Sequence, residues 1–202
     1  MTSSSIRSAE VGDGLVDVGR ATFVVGTLVL AAAGQRGALN LAAGAAIVFA
    51  VRPLKLPRRY DLSVVLAAAL LSWGNALDLY GRVINYDTFV HLMTQFLIAP
   101  TAYIVLARLG VVPGTGDMAP RDLPRAIALI TLALGLSMGA LWEITEWSLD
   151  AGLGTSLVHG EADTATDLLA DALGAAIGGI RLAAWSVAQP DREPLSRERL
   201  SI

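Results

Sequence analysis

The sequence predicts an all-α protein, a polytopic transmembrane helical bundle with six spans and both termini in the cytoplasm. Long apolar runs dominate the 202-residue chain, which is 54% hydrophobic and has a mean hydropathy of +0.57. Only 16% of the residues are charged, against about a quarter in an ordinary soluble domain. The basic residues also concentrate in alternate loops, as expected for a chain that crosses a membrane repeatedly.

Each of six apolar runs approaches the roughly 20 helical residues that cross a bilayer. The predicted spans are 15–34, 37–51, 62–80, 86–107, 126–147 and 165–185. They form one transmembrane domain over residues 14–188, between a disordered cytoplasmic tail at 1–13 and a charged cytoplasmic tail at 189–202. A cleaved signal peptide is the less favoured interpretation of the first span, because Asp17 and Arg20 interrupt its start.

The basic residues predict the orientation of these spans. They precede the first span, fill the second and fourth loops, and border or follow the last span: Arg7, Arg52, Lys55, Arg58, Arg59, Arg108, Arg121, Arg125, Arg181, Arg192, Arg197 and Arg199. The other three loops hold only Arg36 and Arg82. The positive-inside rule therefore puts both termini in the cytoplasm, which requires an even number of spans.

Composition also excludes several functions. The chain has no cysteine, so disulfides, thiolate metal sites and cysteine nucleophiles are ruled out. It has one lysine and scattered arginines, a pattern that does not indicate nucleic-acid binding. The expected environment is the lipid bilayer.

Acidic residues of the last three spans gather near the predicted outer face, together with one histidine. Ionisable side chains are costly inside spans and usually face the bundle interior, so they indicate a functional site. Their spacing at three or four residues aligns them on single helix faces. The candidate site residues are Asp87, His91, Glu143, Glu146, Asp167 and Asp171.

Glycines continue two of these acidic faces. Gly135 and Gly139 precede Glu143 on the fifth span, and Gly174 and Gly178 follow Asp171 on the sixth. Small residues at this spacing allow helices to approach closely, which would bring the acids together. Crowded carboxylates repel one another unless protons or a cation intervene.

All six candidates are therefore predicted ligands of a divalent metal ion. Oxygen ligands favour Mg²⁺, Ca²⁺ or Mn²⁺, and the imidazole favours Mn²⁺, Fe²⁺ or Zn²⁺. Glu143 and Glu146 are also the candidate catalytic residues, since one of them could act as a general base. Asp78 is expected to pair with Arg82, and whether Asp78, Asp163 and His159 join the site stays open.

Three stretches carry a family resemblance: Tyr86–His91, Ala140–Trp147 and Asp163–Ala175. Their order of Tyr-Asp…His, Trp-Glu…Glu-Trp and Asp…Asp…Gly-Ala resembles the YjdF-type bacterial inner-membrane proteins. A weaker likeness connects the chain with VanZ-like membrane proteins, in which Gln and Asn stand where this sequence has Glu146 and Asp171. The resemblance implies a multi-pass protein of the bacterial cytoplasmic membrane and brings no assigned reaction.

Three functions remain open from the sequence. The first is metal-dependent hydrolysis or group transfer on a lipid-linked substrate at the outer leaflet. The second is a cation- or proton-coupled transporter that uses the same acids, although transporter sites tend to lie nearer the midplane of the membrane. The third is a non-enzymatic envelope accessory protein with a structural metal or a shared-proton network.

Overall fold

The computed structural model describes residues 3–114, 117–158 and 160–188, with side chains described from residue 14 onward in those ranges. Seven α-helices and one 3₁₀ turn account for nearly all of them, and the described residues contain no strand, as the all-α prediction requires. The elements are α1 (Ser3–Ala32), α2 (Gly37–Ala50), the 3₁₀ turn (Arg52–Leu54), α3 (Arg58–Ala76), α4 (Leu79–Arg82), α5 (Tyr86–Arg108), α6 (Leu123–Leu153) and α7 (Glu161–Ala188).

Five segments of the described chain are long and apolar enough to cross a membrane. They are Gly14–Ala32, Gly37–Leu54, Tyr86–Arg108, Leu123–Leu153 and Glu161–Ala188. The predicted span that is missing from this set is the third, on α3, whose first turn contains Arg58, Arg59 and Asp61, so that its apolar part is short. The six-span count and the cytoplasmic placement of the termini therefore remain predictions.

The end of one predicted span was wrong. The third span was expected to continue to residue 80, but α3 ends at Ala76 and Asp78 adopts a left-handed conformation with φ of 58° before the short α4. Aspartate is one of the few residues that tolerates this conformation, because its short side chain can bond locally. In the structure α1 begins at Ser3, and the disordered tail predicted at 1–13 stays a prediction. The predicted tail at 189–202 and His159 lie outside the described residues.

The chain divides into two compact units, Met1–Tyr86 and Asp87–Ile202. In the first unit, α1, α2 and α3 pack against one another around buried Phe23, Leu41 and Val48. Gly44 permits this packing, since a Cβ at that position would lie 2.6 Å from the Phe23 ring. Such close backbone approach is typical of helices that associate in lipid.

Arg20 ties the three helices of the first unit together from a buried position on α1. Its Nε donates a hydrogen bond to the Val48 carbonyl oxygen on α2 at 3.1 Å. Its Nη1 lies 3.2 Å from the Asp17 carboxylate, and its Nη2 donates to Asp61 on α3. Every guanidinium nitrogen therefore has a partner, which offsets the cost of burying the charge.

The second unit consists of α5, α6 and α7, and glycines govern its packing. A Cβ at Gly135 would collide with Ala175, and a Cβ at Gly174 would collide with the Leu92 carbonyl oxygen on α5. Lower on α7, a Cβ at Gly178 would lie 2.7 Å from the Phe96 carbonyl oxygen. The predicted close approach of α6 and α7 is present, but Gly174 and Gly178 face α5 instead of meeting Gly135 and Gly139 as expected.

A candidate metal centre

His91 lies at the point where α5, α6 and α7 of the second unit meet, and its ring is almost completely buried. Its Nδ1 is 3.1 Å from each carboxylate oxygen of Asp171 on α7. In the tautomer with its proton on Nδ1, the ring donates this hydrogen bond to the Asp171 carboxylate. In the neutral imidazole, Nε2 then keeps its lone pair.

The Nε2 atom of His91 faces two further carboxylates. Asp87 stands one turn earlier on α5, with its Oδ1 3.8 Å away, and Glu143 on α6 has its Oε1 3.7 Å away. Both separations exceed the length of a hydrogen bond. The three groups therefore converge on a common space without bonding directly to one another.

Asp167 completes the arrangement from α7. One ligand atom each from Asp87, His91 and Asp167 can be chosen so that all three lie within 4.8 Å of one another. The Thr88 side chain bonds to the Asp167 carboxylate. We call Asp87, His91, Glu143, Asp167 and Asp171 the His91 cluster.

Two carboxylate oxygens in the His91 cluster have no hydrogen-bond partner among the described residues. They are Oε1 of Glu143, a residue that is 5% exposed, and Oδ1 of Asp167, which is 2% exposed. Buried polar atoms are almost always bonded, and a buried carboxylate without a partner is strongly unfavourable. These two oxygens make the His91 cluster a candidate ligand site.

Gly139 makes room for Asp171. A Cβ at position 139 would overlap the Asp171 carboxylate, which is fully buried between α6 and α7. Gly135, Gly139 and Glu143 lie on one face of α6 at intervals of four residues. The two glycines leave room for α7, and Glu143 supplies a carboxylate, so this face contributes to both the packing and the site. The acid-to-glycine pattern had predicted glycine against glycine and acid against acid, so this contact between Gly139 and Asp171 was not predicted.

The remaining candidates lie at the edge of the His91 cluster or away from it. Glu146, one turn beyond Glu143, is half-buried and its Oε1 accepts a hydrogen bond from Trp142 Nε1 at 2.9 Å. Asp78 pairs with Arg82 at 3.1 Å, as expected from their spacing. The geometry thus brings together five of the six residues proposed from the sequence and leaves Glu146 beside them.

Two polar residues of the site were missed in the sequence. Thr88 directly follows Asp87, and no spacing marks it as a partner of Asp167. Gln95 is buried on α5 with an unpartnered Oε1. It continues the i+4 series of Asp87 and His91, so the helical period could have identified it.

A mostly apolar groove of about 520 Å³ runs between α6 and α7 beside the His91 cluster. Its lining residues are Ala140, Glu143, Ile144, Trp147, Ser148, Ala151, Thr164 and Leu168. Glu143 is the one ionisable side chain among them, and it belongs to both the groove and the cluster. We call this feature the α6–α7 groove.

The comparisons with known proteins agree with a membrane location. The comparison with curated proteins and the comparison with solved structures gave no match. One family model, described as "Predicted membrane protein (DUF2238)", matches residues 21–188, which include all of the His91 cluster. The chain therefore belongs to this membrane-protein family, which is the YjdF-type family that the sequence motifs resemble.

Proposed function

We propose that the protein is a metal-dependent membrane enzyme that hydrolyses or transfers a group at the outer face of the membrane, with the His91 cluster as its metal site. The observation that carries this proposal is the convergence of His91 Nε2 with buried, unpartnered carboxylate oxygens. A cluster of acids alone would be weak support. Unpartnered oxygens aimed at a shared imidazole are stronger support, because a bound cation would satisfy all of them at once.

The distances suit a single ion. Two ligands that each lie about 2.1 Å from one metal can be at most about 4.2 Å apart. The separations of 3.7 Å and 3.8 Å from His91 Nε2 to Glu143 and Asp87 fall inside this limit. The 4.8 Å span of the set containing Asp167 requires only a small side-chain adjustment. One imidazole and several carboxylates favour Mn²⁺, Fe²⁺ or Zn²⁺ over an ion that needs oxygen ligands alone.

Asp171 has a different role from the other acids. It bonds to Nδ1, the ring nitrogen that faces away from the convergence point. A carboxylate in this position fixes the tautomer and orientation of a metal-binding histidine and makes the ring a better ligand. We therefore assign Asp171 as a positioning residue, with Asp87, His91, Glu143 and Asp167 as the proposed ligands.

The chemistry proposed for the site is activation of water. A bound divalent ion lowers the pKa of a coordinated water and polarises an ester or phosphoryl oxygen. Glu146 lies one turn from Glu143 at the half-buried edge of the cluster, where it can accept a proton from water. Its bond from Trp142 holds the carboxylate in place while leaving its second oxygen for that task.

Transport is less well supported than catalysis, because the helices close below the His91 cluster. Gly135 lies against Ala175, and Gly174 and Gly178 lie against the backbone of α5. These contacts leave no room for a Cβ, so a solute could not pass between the three helices toward Arg108 and Arg125 without their separation. The site is therefore expected to open on one side only.

A shared-proton network without metal is the main competitor, and metal analysis of the purified protein separates the two. We expect close to one equivalent of divalent metal in the wild type, which His91→Ala and Glu143→Ala should abolish. Asp171→Asn should weaken metal affinity about tenfold to a hundredfold, as substitutions of such supporting residues typically do.

Glu161→Ala is the matched control, since Glu161 is an exposed acid on α7 outside the His91 cluster. It should keep its metal. Metal-free wild type that binds no Mn²⁺, Fe²⁺ or Zn²⁺ on titration, yet remains folded, would disprove the metal site and favour the proton network.

A further inference from the structure

The α6–α7 groove connects the His91 cluster with the exposed surface of the second unit. Ile144 and Trp147 on its rim are 60% and 52% exposed, as large apolar side chains are when lipid rather than water surrounds them. Small side chains, Ala140, Ser148 and Ala151, line its α6 wall. Its volume of about 520 Å³ falls within the roughly 300–1,000 Å³ typical of small-molecule sites.

The groove has a polarity gradient along its length. Its walls are apolar except for hydroxyls and the Glu143 carboxylate, which also faces His91 Nε2 at 3.7 Å. A ligand that fills it must therefore have a hydrocarbon part along α6 and α7 and a polar part at Glu143. This is the shape of a membrane lipid that enters sideways from the bilayer.

The distribution of charged residues restricts which headgroup the polar end of the groove can bind. Segments 87–107 and 126–180 contain no lysine or arginine, and the arginines between Asp87 and Ala188 are Arg108, Arg121, Arg125 and Arg181. Arg108 and Arg125 lie at the ends of α5 and α6 opposite the cluster. Four carboxyl groups line the His91 cluster, and no lysine or arginine of these segments offers an anionic headgroup a counter-charge. An anionic headgroup would be repelled there.

We infer that the α6–α7 groove binds the hydrocarbon chain of a membrane lipid whose headgroup has no net negative charge, with that headgroup at the His91 cluster. This inference rests on the proposed function for the identity of the reacting site and adds the substrate class. The lipid approaches within the membrane plane, its chain lies between Ile144 and Leu168, and its ester or amide linkage reaches Glu143.

A photoactivatable lipid tests the inference. The protein is reconstituted in nanodiscs with trace phosphatidylcholine that carries a diazirine on one acyl chain, irradiated, and mapped by mass spectrometry. We expect adducts to concentrate on Ile144, Ser148 and Leu168. A matched phosphatidylglycerol probe, which is anionic, should label these residues at least about fivefold less.

Two substitutions on neighbouring turns of α6 provide the control. Ser148 and Thr145 are both exposed, and each hydroxyl bonds to the carbonyl four residues earlier, at 2.6 Å and 2.7 Å. Ser148 lines the groove and Thr145 does not. Ser148→Phe should therefore reduce labelling at Leu168 at least about fivefold, while Thr145→Phe leaves it unchanged.

Adducts spread evenly over exposed α6 and α7 residues in the wild type, or equal labelling by the anionic probe, would overturn the inference. Because the wild-type map decides this, the result does not depend on the folding of a variant. Metal content measured on the same samples separates this result from the proposed function. Bound metal without groove labelling rejects only the lipid assignment, and groove labelling without metal rejects only the metal site.

Discussion

At the scale of single residues, His91 is the position on which the site depends, because its two ring nitrogens have different tasks. Nδ1 is engaged by Asp171, and Nε2 is turned toward Asp87 and Glu143. A buried imidazole with only one of these neighbours would be an ordinary core histidine. Asp171 bonds to one ring nitrogen, while Asp87 and Glu143 face the other without bonding to it. This arrangement makes the geometry suitable for a metal.

Gly139 gives the sharpest test of this geometry. Gly139→Ala would drive a methyl group into the Asp171 carboxylate, so Asp171 and the imidazole that it holds must move. We expect metal affinity to fall at least about tenfold, a loss comparable to the removal of a supporting residue. Isothermal titration of the metal-free protein with Mn²⁺ or Zn²⁺ measures the change.

Gly152→Ala serves as the control for that substitution. Gly152 also lies on α6, but a Cβ there would meet nothing within 4 Å. In a helix, alanine is favoured over glycine by about 1 kcal/mol, so this variant should be slightly more stable and bind metal normally. Unchanged affinity in Gly139→Ala would mean that Asp171 does not position His91.

At the scale of helices, the periodicity of the sequence predicted that α6 and α7 approach closely, but not that the α7 glycines face α5, nor where helices end. The series Gly135, Gly139 and Glu143 follows directly from the helical repeat, and its contact with α7 was foreseen. The break at Asp78 was not, because Ala76 and Leu77 are compatible with a continuing helix and only the backbone at Asp78 departs from it. Five of the site residues could be named from spacing, whereas the contact of Thr88 depends on a rotation between helices that spacing does not encode.

The ion pairs of the first unit show how burial changes the contribution of similar contacts to the free energy of unfolding. Asp61→Ala removes a partner from Arg20, whose side chain is 4% exposed, and should cost about 3 kcal/mol because an uncompensated charge stays buried. Arg82→Ala removes an exposed pair with Asp78 and should cost less than about 1 kcal/mol. Thermal unfolding in detergent compares the two.

Metal content provides the internal check on that comparison. Arg20, Asp17 and Asp61 belong to the first unit, so Asp61→Ala should lower the melting temperature without altering metal affinity below it. A melting temperature as little affected as that of Arg82→Ala would show that Arg20 is not a structural tie between α1, α2 and α3.

At the scale of the whole molecule, α3 decides the topology. Five segments meet the length and hydropathy of a span, and the charged start of α3 makes it the marginal one. With α3 inserted, six spans return the C-terminal end to the side of the N-terminus. With α3 outside the membrane, five spans would leave the ends on opposite sides and conflict with the distribution of arginines.

Reporter fusions distinguish these topologies. We expect alkaline phosphatase to be inactive when fused after Lys55 or Ala188 and active after Ile84 or Gly154, because the first pair is predicted to be cytoplasmic and the second external. A fluorescent protein should show the opposite pattern. Equal phosphatase activity after Lys55 and Ile84 would mean that α3 does not cross the membrane.

The order of the helices along the chain has a consequence for biosynthesis. Asp167 and Asp171 both come from α7, the last helix of the described chain, while Asp87 and His91 come from α5. A nascent chain that has inserted α5 and α6 has three of the five residues of the His91 cluster, and its histidine lacks the Asp171 carboxylate. If the proposed metal site is correct, loading follows insertion of α7, and a ribosome stalled before that helix would leave a chain that binds no metal.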